Sequence, residues 1–394
     1  MSAFDLIPEF AMNPVFADLP VSIFEIMSLE AKARGAANLG QGFPEVDGFP
    51  DVREAAARAL MEQSNQYAPM RGLPVLRQAV ADFYQRQQGL TLDPDTQVLI
   101  TSGATEAICA AILAMVTPGD EVVVFEPVYD AYVPLIKRAG GIPRIVQLNP
   151  PHWQFSDDDL KAVFSDRTKL VLITTPNNPT THCFTSEQLA LLADYCERFD
   201  AYVMSDEVWE QVVFDRAHLS VLHVPGLAKR SIKIGSAGKI FSLTGWKIGF
   251  VVAERALIDQ VASAHQFITF ATPPALQHGV AYGLALPQDR FDAALAELKH
   301  QRDYLGGLLT AAGFHLLPAE GTYFLNIDLR ASGIAGSGLD YAFDLIRNHG
   351  LATIPLQAFC ESGRDLPVLR LCFAKSRETL TRGAHALATV KINS

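Results

Sequence analysis

Residues 97–126, QVLITSGATEAICAAILAMVTPGDEVVVFE, read as a strand, a helix and a second strand. QVLIT (97–101) and EVVVFE (121–126) are short, apolar and β-branched. The run from Ala107 to Val116 is apolar throughout and stops at Thr117-Pro118-Gly119-Asp120. It falls well short of the roughly twenty residues a bilayer span needs. Thr105, with Glu106 behind it, is expected to open this helix. The same alternation continues outward. IPRIVQL (142–148), KLVLITT (169–175), AYVMS (201–205), SIKIGS (231–236) and KIGFVVA (247–253) are further strand runs. Among the segments between them, a helix is expected from Ser186 to about Phe199. Strands that are apolar throughout and separated by helices predict an α/β fold whose mostly parallel central sheet is covered on both faces.

The pattern changes after about residue 285. A charged helix from about Gln288 to Ala312 is followed by GTYFLNID (321–328) and a helix near Asp340 to Asn348. LATIPL (351–356), the strand VLRLCF (368–373) and a last helix from Ser376 complete the chain. This predicts a smaller α+β domain. The expected division is residues 1–45 as an N-terminal segment packing on the small domain, 46–285 as the large domain and 286–394 as the small C-terminal domain. The first of these holds a helical stretch, Ile23 to Arg34, and the loop NLGQGFP (38–44).

Of 394 residues, 49% are hydrophobic and 19% charged. The charged share is below the roughly 25% usual for soluble proteins, which predicts a large buried core and excludes disorder. Lys and Arg number 32 against 43 Asp and Glu, a net charge of −11. That balance argues against binding a nucleic-acid backbone or an anionic lipid surface. The five cysteines are odd in number and contain no CxxC pair. They argue against a disulfide framework or a zinc site and fit a reducing compartment. MSAFDLIPEF has neither the basic nor the apolar region of a secretory signal, so a cytoplasmic protein is expected. No G-x-G-x-x-G follows a strand, and Walker-type and H-E-x-x-H motifs are absent, which argues against a nicotinamide dehydrogenase.

In a parallel α/β sheet, ligands sit beyond the carboxyl ends of the strands. Ser102-Gly103-Ala104-Thr105 follows the first strand and enters a helix, a setting in which backbone N–H groups attract anions. Pro127-Val128-Tyr129 follows the second, Pro176-Asn177-Asn178-Pro179 follows KLVLITT, Asp206-Glu207 follows AYVMS, and Ala237-Gly238-Lys239 follows SIKIGS. An anion-binding helix start, an aromatic ring, an amide, a carboxylate and a lysine thus share one topological edge. Singly, each has a bland reading: an N-cap, a core aromatic, a turn, a capping carboxylate, a solvated lysine. Together they suit an aromatic heterocycle bearing a phosphate, an electrophilic carbon and a basic ring nitrogen. Arg370 interrupts the apolar strand VLRLCF, where an unpaired cation is costly. It reads either as a structural ion pair or as a bidentate carboxylate clamp.

The run GSAGKIFSLTGWKIG (235–249) resembles the lysine segment of the class I/II aminotransferases, which are fold-type I pyridoxal-phosphate enzymes. So do NLGQGFP (38–44), NQYAPMRGLPVLRQAV (65–80), SGATEAI (102–108), EPVYDAY (126–132), TPNNPTT (175–181), SDEVW (205–209), GTYFLNID (321–328) and LRLCFAK (369–375). They fall in the family's order and span nearly the whole chain. The subgroup most resembled is that of the kynurenine, glutamine and methionine aminotransferases, with succinyldiaminopimelate aminotransferases nearby.

The resemblance implies a pyridoxal 5'-phosphate cofactor and ping-pong transfer of an amino group from an α-amino acid to a 2-oxo acid. It makes Lys239 the Schiff-base lysine and proton carrier, Asp206 the partner of the ring nitrogen and Asn178 that of the ring oxygen. Tyr129 would stack on the ring, and Ala104, Thr105, Ser236 and Lys247 would hold the phosphate. Tyr67 would reach the phosphate of a neighbouring subunit, which makes a homodimer the working unit. Arg370, with the backbone of Gly42, would take the substrate α-carboxylate. No metal, nucleic acid or membrane is implied.

Two positions depart from the family pattern. Trp209 stands where tyrosine is usual, so the hydroxyl contact with the ring oxygen is lost or replaced. Thr180-Thr181 replaces the commoner Thr-Gly, which predicts a different loop path. For a distal carboxylate only Arg71 is a candidate. Phe24, Phe43, Phe270 and Tyr323 lie in segments near the substrate, so a neutral, apolar or aromatic donor is expected. The alternative on the same fold is a C–S lyase.

Overall fold

The computed structural model of the chain describes residues 13–17, 19 and 21–392. MSAFDLIPEF and the start of the expected N-terminal segment lie outside the described residues. The strands, in chain order, are β1 (Ala37–Asn38), β2 (Val98–Thr101), β3 (Glu121–Glu126), β4 (Ile142–Gln147), β5 (Thr168–Thr174), β6 (Tyr202–Asp206), β7 (Ser231–Ser236), β8 (Gly249–Ala253), β9 (His315–Leu316), β10 (Phe324–Asp328), β11 (Leu351–Ala352), β12 (Ile354–Pro355) and β13 (Val368–Cys372).

A seven-stranded sheet runs in the order β2-β8-β7-β6-β5-β3-β4. Its central strands are buried on both faces, and the side chains alternate between two cores. Val122 and Val124 of β3 face one, Val123 and Phe125 the other. Continuous apolar runs therefore follow from two covered faces, not from a membrane. No helix among the described residues is long and apolar enough to cross a membrane.

KIGFVVA is the exception to the parallel expectation. β8 runs antiparallel to both β2 and β7. Between Ser236 and Gly249 the chain makes only the short helix Ala237–Ile240 and a 3-10 turn at Thr244–Trp246. That is too little to cross a sheet face and return in parallel, so the chain doubles back. The lysine segment is left lying across the carboxyl ends of the strands.

Two helix starts differ slightly from expectation. The helix after β2 is Gly103–Met115 and begins before Thr105, because Gly103 takes φ +77° and turns the chain sharply. The helix Ser186–Arg198 is capped by Thr185, whose hydroxyl and the Gln188 side chain form a reciprocal capping box.

Beyond residue 285, helix Gln288–Ala311 packs against Arg377–Ile392. β12, β13, β10 and β9 form an antiparallel sheet. β1 pairs in parallel with β11, and the helix Ile23–Arg34 packs on β11 and on Gly338–Asn348. This brings the NLGQGFP loop alongside β13, where Leu39 accepts the Cys372 N–H at 2.7 Å.

Candidate active site

A cavity of about 500 Å³ opens at the carboxyl ends of β2, β3, β5, β6 and β7, within the range of small-molecule sites. Gly42, Ala104, Thr105, Tyr129, Asn178, Asp206, Ser236, Lys239, Lys247 and Arg370 all line it. One wall comes from the loop after β1 and from β13, and Ser22 and Phe24 of the N-terminal region reach the same space.

The phosphate-sized end is shaped by glycines. A Cβ on Gly249 would lie 2.6 Å from the Gly103 carbonyl carbon and 2.7 Å from Ala104 N, so only glycine lets β8 approach this loop. The Lys247 ammonium packs over Gly103, within 3.2 Å of where a Cβ would stand. Ser102 gives no side-chain cap, and the leading N–H groups of a helix have no intrahelical acceptor. Glu106 instead accepts the Ser102 N–H at 3.0 Å and pairs with the buried His265, whose other ring nitrogen meets the Met70 carbonyl at 3.0 Å. Helix start, point charge and the Ser236 hydroxyl make a donor set suited to a phosphate.

Asp206 ends β6 in full burial. Its carboxylate accepts the Tyr132 hydroxyl at 2.5 Å and the Val208 N–H at 3.2 Å. Burial pushes its pKa up, against the pull of Tyr132, Val208 and the more distant Lys239. Among the described residues no cation bonds it, so it fits a ligand that brings a protonated ring nitrogen. Its neighbour Glu207 points into a separate polar cluster. Burial opposes ionisation there too, but the Lys233 ammonium and His218 prevail and hold the carboxyl well below the usual range. Glu207, Glu210 and His218 present ligand atoms within 4.8 Å of one another. Lys233 already bonds both carboxylates and supplies the positive charge.

Lys239 Nζ is fully enclosed, and burial is the main cause that brings its pKa down to about 8. It donates to the Tyr323 hydroxyl at 3.0 Å and to the Gly42 carbonyl at 3.4 Å. It also sits 4.6 Å from the centre of the Trp209 ring. Trp209 thus offers a ring face where a tyrosine would offer oxygen.

Arg370 is 1% exposed. It donates to Asn178 Oδ1 at 2.6 Å and to the Gly40 carbonyl at 3.1 Å. The rings of Phe324, Phe359 and Phe24 surround it at 3.9, 5.1 and 5.2 Å. Burial lowers its pKa to about 10. Among the described residues no carboxylate lies within ion-pair distance, and its Nε–H has no acceptor. A buried guanidinium held by neutral groups is a receptor for an anion. Gly42 is required by space, since a Cβ there would come within 2.9 Å of the Phe324 ring.

Some expected residues lie elsewhere. Tyr67 is 87% exposed and meets Phe270 edge-on at 5.6 Å, outside the cavity. Phe43 lies near the Lys375 ammonium, and Arg71 is tied to Asp259 at 2.5 Å. Thr181 takes φ +69°, the left-handed region glycine favours. Its hydroxyl donates to the Pro318 carbonyl at 2.8 Å, holding the loop in that conformation. Tyr132, Thr174, Asp130 and Phe324 also line the cavity and escaped the sequence reading. Tyr132, two residues beyond Asp130 in EPVYDAY, was the one with a visible signal.

Comparison with known proteins agrees with this architecture. The family description "Aminotransferase class I and II" matches residues 34–387. The methionine aminotransferase of Escherichia coli (strain K12) is 37% identical over 370 residues, covering 94% of this chain and 96% of that protein. A probable N-succinyldiaminopimelate aminotransferase of Mycobacterium tuberculosis is 38% identical over 382 residues, covering 94% of this chain and 96% of that one. The crystal structure of YbdL from Escherichia coli, identified with a methionine aminotransferase function, matches with a TM-score of 0.93 at 36% identity, covering 96% of this chain and 100% of that one. With this fold, this cavity and these relatives, the chain belongs to the class I and II aminotransferases, fold-type I pyridoxal-phosphate enzymes that move an amino group between an amino acid and a 2-oxo acid.

Proposed function

We propose that the chain transfers amino groups from neutral, apolar or aromatic α-amino acids to 2-oxo acids in a ping-pong cycle, as a cytoplasmic homodimer. The observation that carries this reading is one cavity holding a buried amine of lowered pKa, a buried carboxylate and a buried guanidinium without an acidic partner. Ala104, Thr105, Ser236 and Lys247 would hold the phosphate of the cofactor, Tyr129 its ring face, Asn178 its ring oxygen and Asp206 its ring nitrogen. Pyridoxal phosphate supplies an aldehyde and an electron-withdrawing ring that stabilises charge at the substrate α-carbon. Arg370 and Gly42 fix the substrate carboxylate, which sets the α-hydrogen in reach of the amine. Lys239 Nζ, released by the incoming amino group, takes that proton and returns it at the neighbouring carbon. A pKa of about 8 leaves a usable neutral fraction near pH 7, which an ordinary lysine lacks.

The side-chain preference follows from the charge inventory. Lys239, Lys247 and Arg370 each have a task, and Arg71 is spent on Asp259. Phe24, Tyr129, Trp209 and Phe324 supply the remaining wall. A panel of amino acids against several 2-oxo acids tests this. Methionine and aromatic donors should exceed aspartate and glutamate by about 10²-fold in kcat/KM, and transfer should require an acceptor. Release of pyruvate and ammonia from cysteine conjugates without acceptor would overturn it in favour of a lyase.

The dimer rests on an exposed apolar face. Met61, Phe267 and Tyr67 are 84%, 86% and 87% exposed, more than isolated surface residues explain. Sedimentation should give twice the chain mass, and Phe267→Asp should shift it toward one chain mass. A wild-type monomer would remove this part of the reading.

A further inference from the structure

Tyr323 enters β10 from a strained turn. Thr322 is buried at φ +66°, a costly backbone for a β-branched residue. Its N–H donates to the Val212 carbonyl at 2.8 Å, and its hydroxyl accepts the Phe324 N–H at 3.2 Å. The turn is therefore held from both sides, and it sends the Tyr323 phenol into the protein, where 2% of the residue is exposed. The hydroxyl donates its proton to the Gly42 carbonyl at 2.5 Å. Its lone pairs are left for the Lys239 amine, which donates to it at 3.0 Å. The Trp209 ring stands perpendicular to the phenol, at 89° and 4.2 Å between centres, and presents itself to the same amine.

We propose that Tyr323 is a positioning residue for the Lys239 amine, its hydroxyl oriented by Gly42 so as to hold Nζ toward the cavity. The inference rests on the reading of Lys239 as the reacting amine. A lysine amine swings on four rotatable bonds, and a misplacement of about 1 Å can cost two orders of magnitude in rate. Among the described residues the hydroxyl and the Gly42 carbonyl are the hydrogen-bond acceptors of Nζ. Asp206, Arg370, Lys247 and Cys372 act on it through space. Burial raises the phenol well above its ordinary pKa, so it stays neutral while the amine titrates.

An oxygen acceptor favours the ammonium over the free amine, so its removal should lower the lysine's titration midpoint further. The test is Tyr323→Phe, which keeps the ring and its packing on Trp209. In the cofactor-free protein, Lys239 acetylation by acetic anhydride is followed against pH by mass spectrometry. Uptake of pyridoxal phosphate is timed in parallel. The midpoint should fall, uptake should slow about tenfold, and kcat should drop about tenfold with KM nearly unchanged. Tyr323→Met, a second hydroxyl-free variant, should show the same shift in midpoint should Tyr323→Phe fail to fold. An unchanged midpoint and uptake rate, with the wild-type Lys239 adduct intact, would overturn the role of Tyr323 alone. If borohydride traps no Lys239 adduct in the wild type, the reading of Lys239 fails and this inference with it.

Discussion

Lys239→Met is expected to abolish amino transfer and, in the cofactor-free protein, to raise stability at pH 7. Loss of turnover should be on the order of 10⁶-fold, as when a nucleophile is removed from a working set. The stability gain has a separate cause. Lys239 is fully enclosed, and burial lowers its pKa from 10.5 to about 8. The folded protein therefore binds that proton less tightly than the unfolded chain. The penalty is present in full below pH 8 and fades as pH rises from 8 to 10.5. At pH 7 it amounts to ~3 kcal/mol before relaxation of the site, since each pKa unit is worth about 1.4 kcal/mol. Methionine keeps the length and removes the charge, at the cost of the bond to Tyr323. Urea melts at pH 7 and pH 10 check this. The wild type should gain stability across that interval relative to Lys239→Met. A variant that still turns over would remove Lys239 from its role, and parallel melts would remove the burial argument.

Arg370→Lys is expected to lower kcat/KM for α-amino acids by about 10²- to 10⁴-fold, the range for truncating a buried charge pair. The charge survives this change, but the fork does not. Asn178 Oδ1 and the Gly40 carbonyl lose donors that lysine cannot supply together. A single ammonium also stacks less well among Phe324, Phe359 and Phe24. The control is an amine lacking the α-carboxylate. The wild type should prefer the amino acid strongly, and the variant should barely distinguish the two. A retained preference would mean that the carboxylate binds elsewhere.

The residues that end β2, β3, β5, β6 and β7 could be gathered from the sequence because a parallel βα sheet delivers the carboxyl ends of its strands to one edge. Apolar strands and capped helices give that topology through local periodicity alone. Once the edge was recognised, Thr105, Tyr129, Asn178, Asp206 and Lys239 fell together without coordinates. The reversal of β8 was less visible, because KIGFVVA looks the same in either direction. Only the shortness of its connection distinguishes the two.

Local pattern says nothing about partners far apart in the chain. The Tyr323 hydroxyl meets a carbonyl 281 residues away at Gly42, and Arg370 meets Asn178 across 192. Trp209 read as a lost hydroxyl, yet its ring faces the lysine amine while Tyr323 brings an oxygen from another strand. Fold class and the strand-end residues thus follow from chain order, since hydrophobic period and turn chemistry act over a few neighbours. The lowered pKa of Lys239, the missing acidic partner of Arg370 and the aim of Tyr323 arise from packing, because desolvation and hydrogen-bond geometry exist only once distant segments have closed around them.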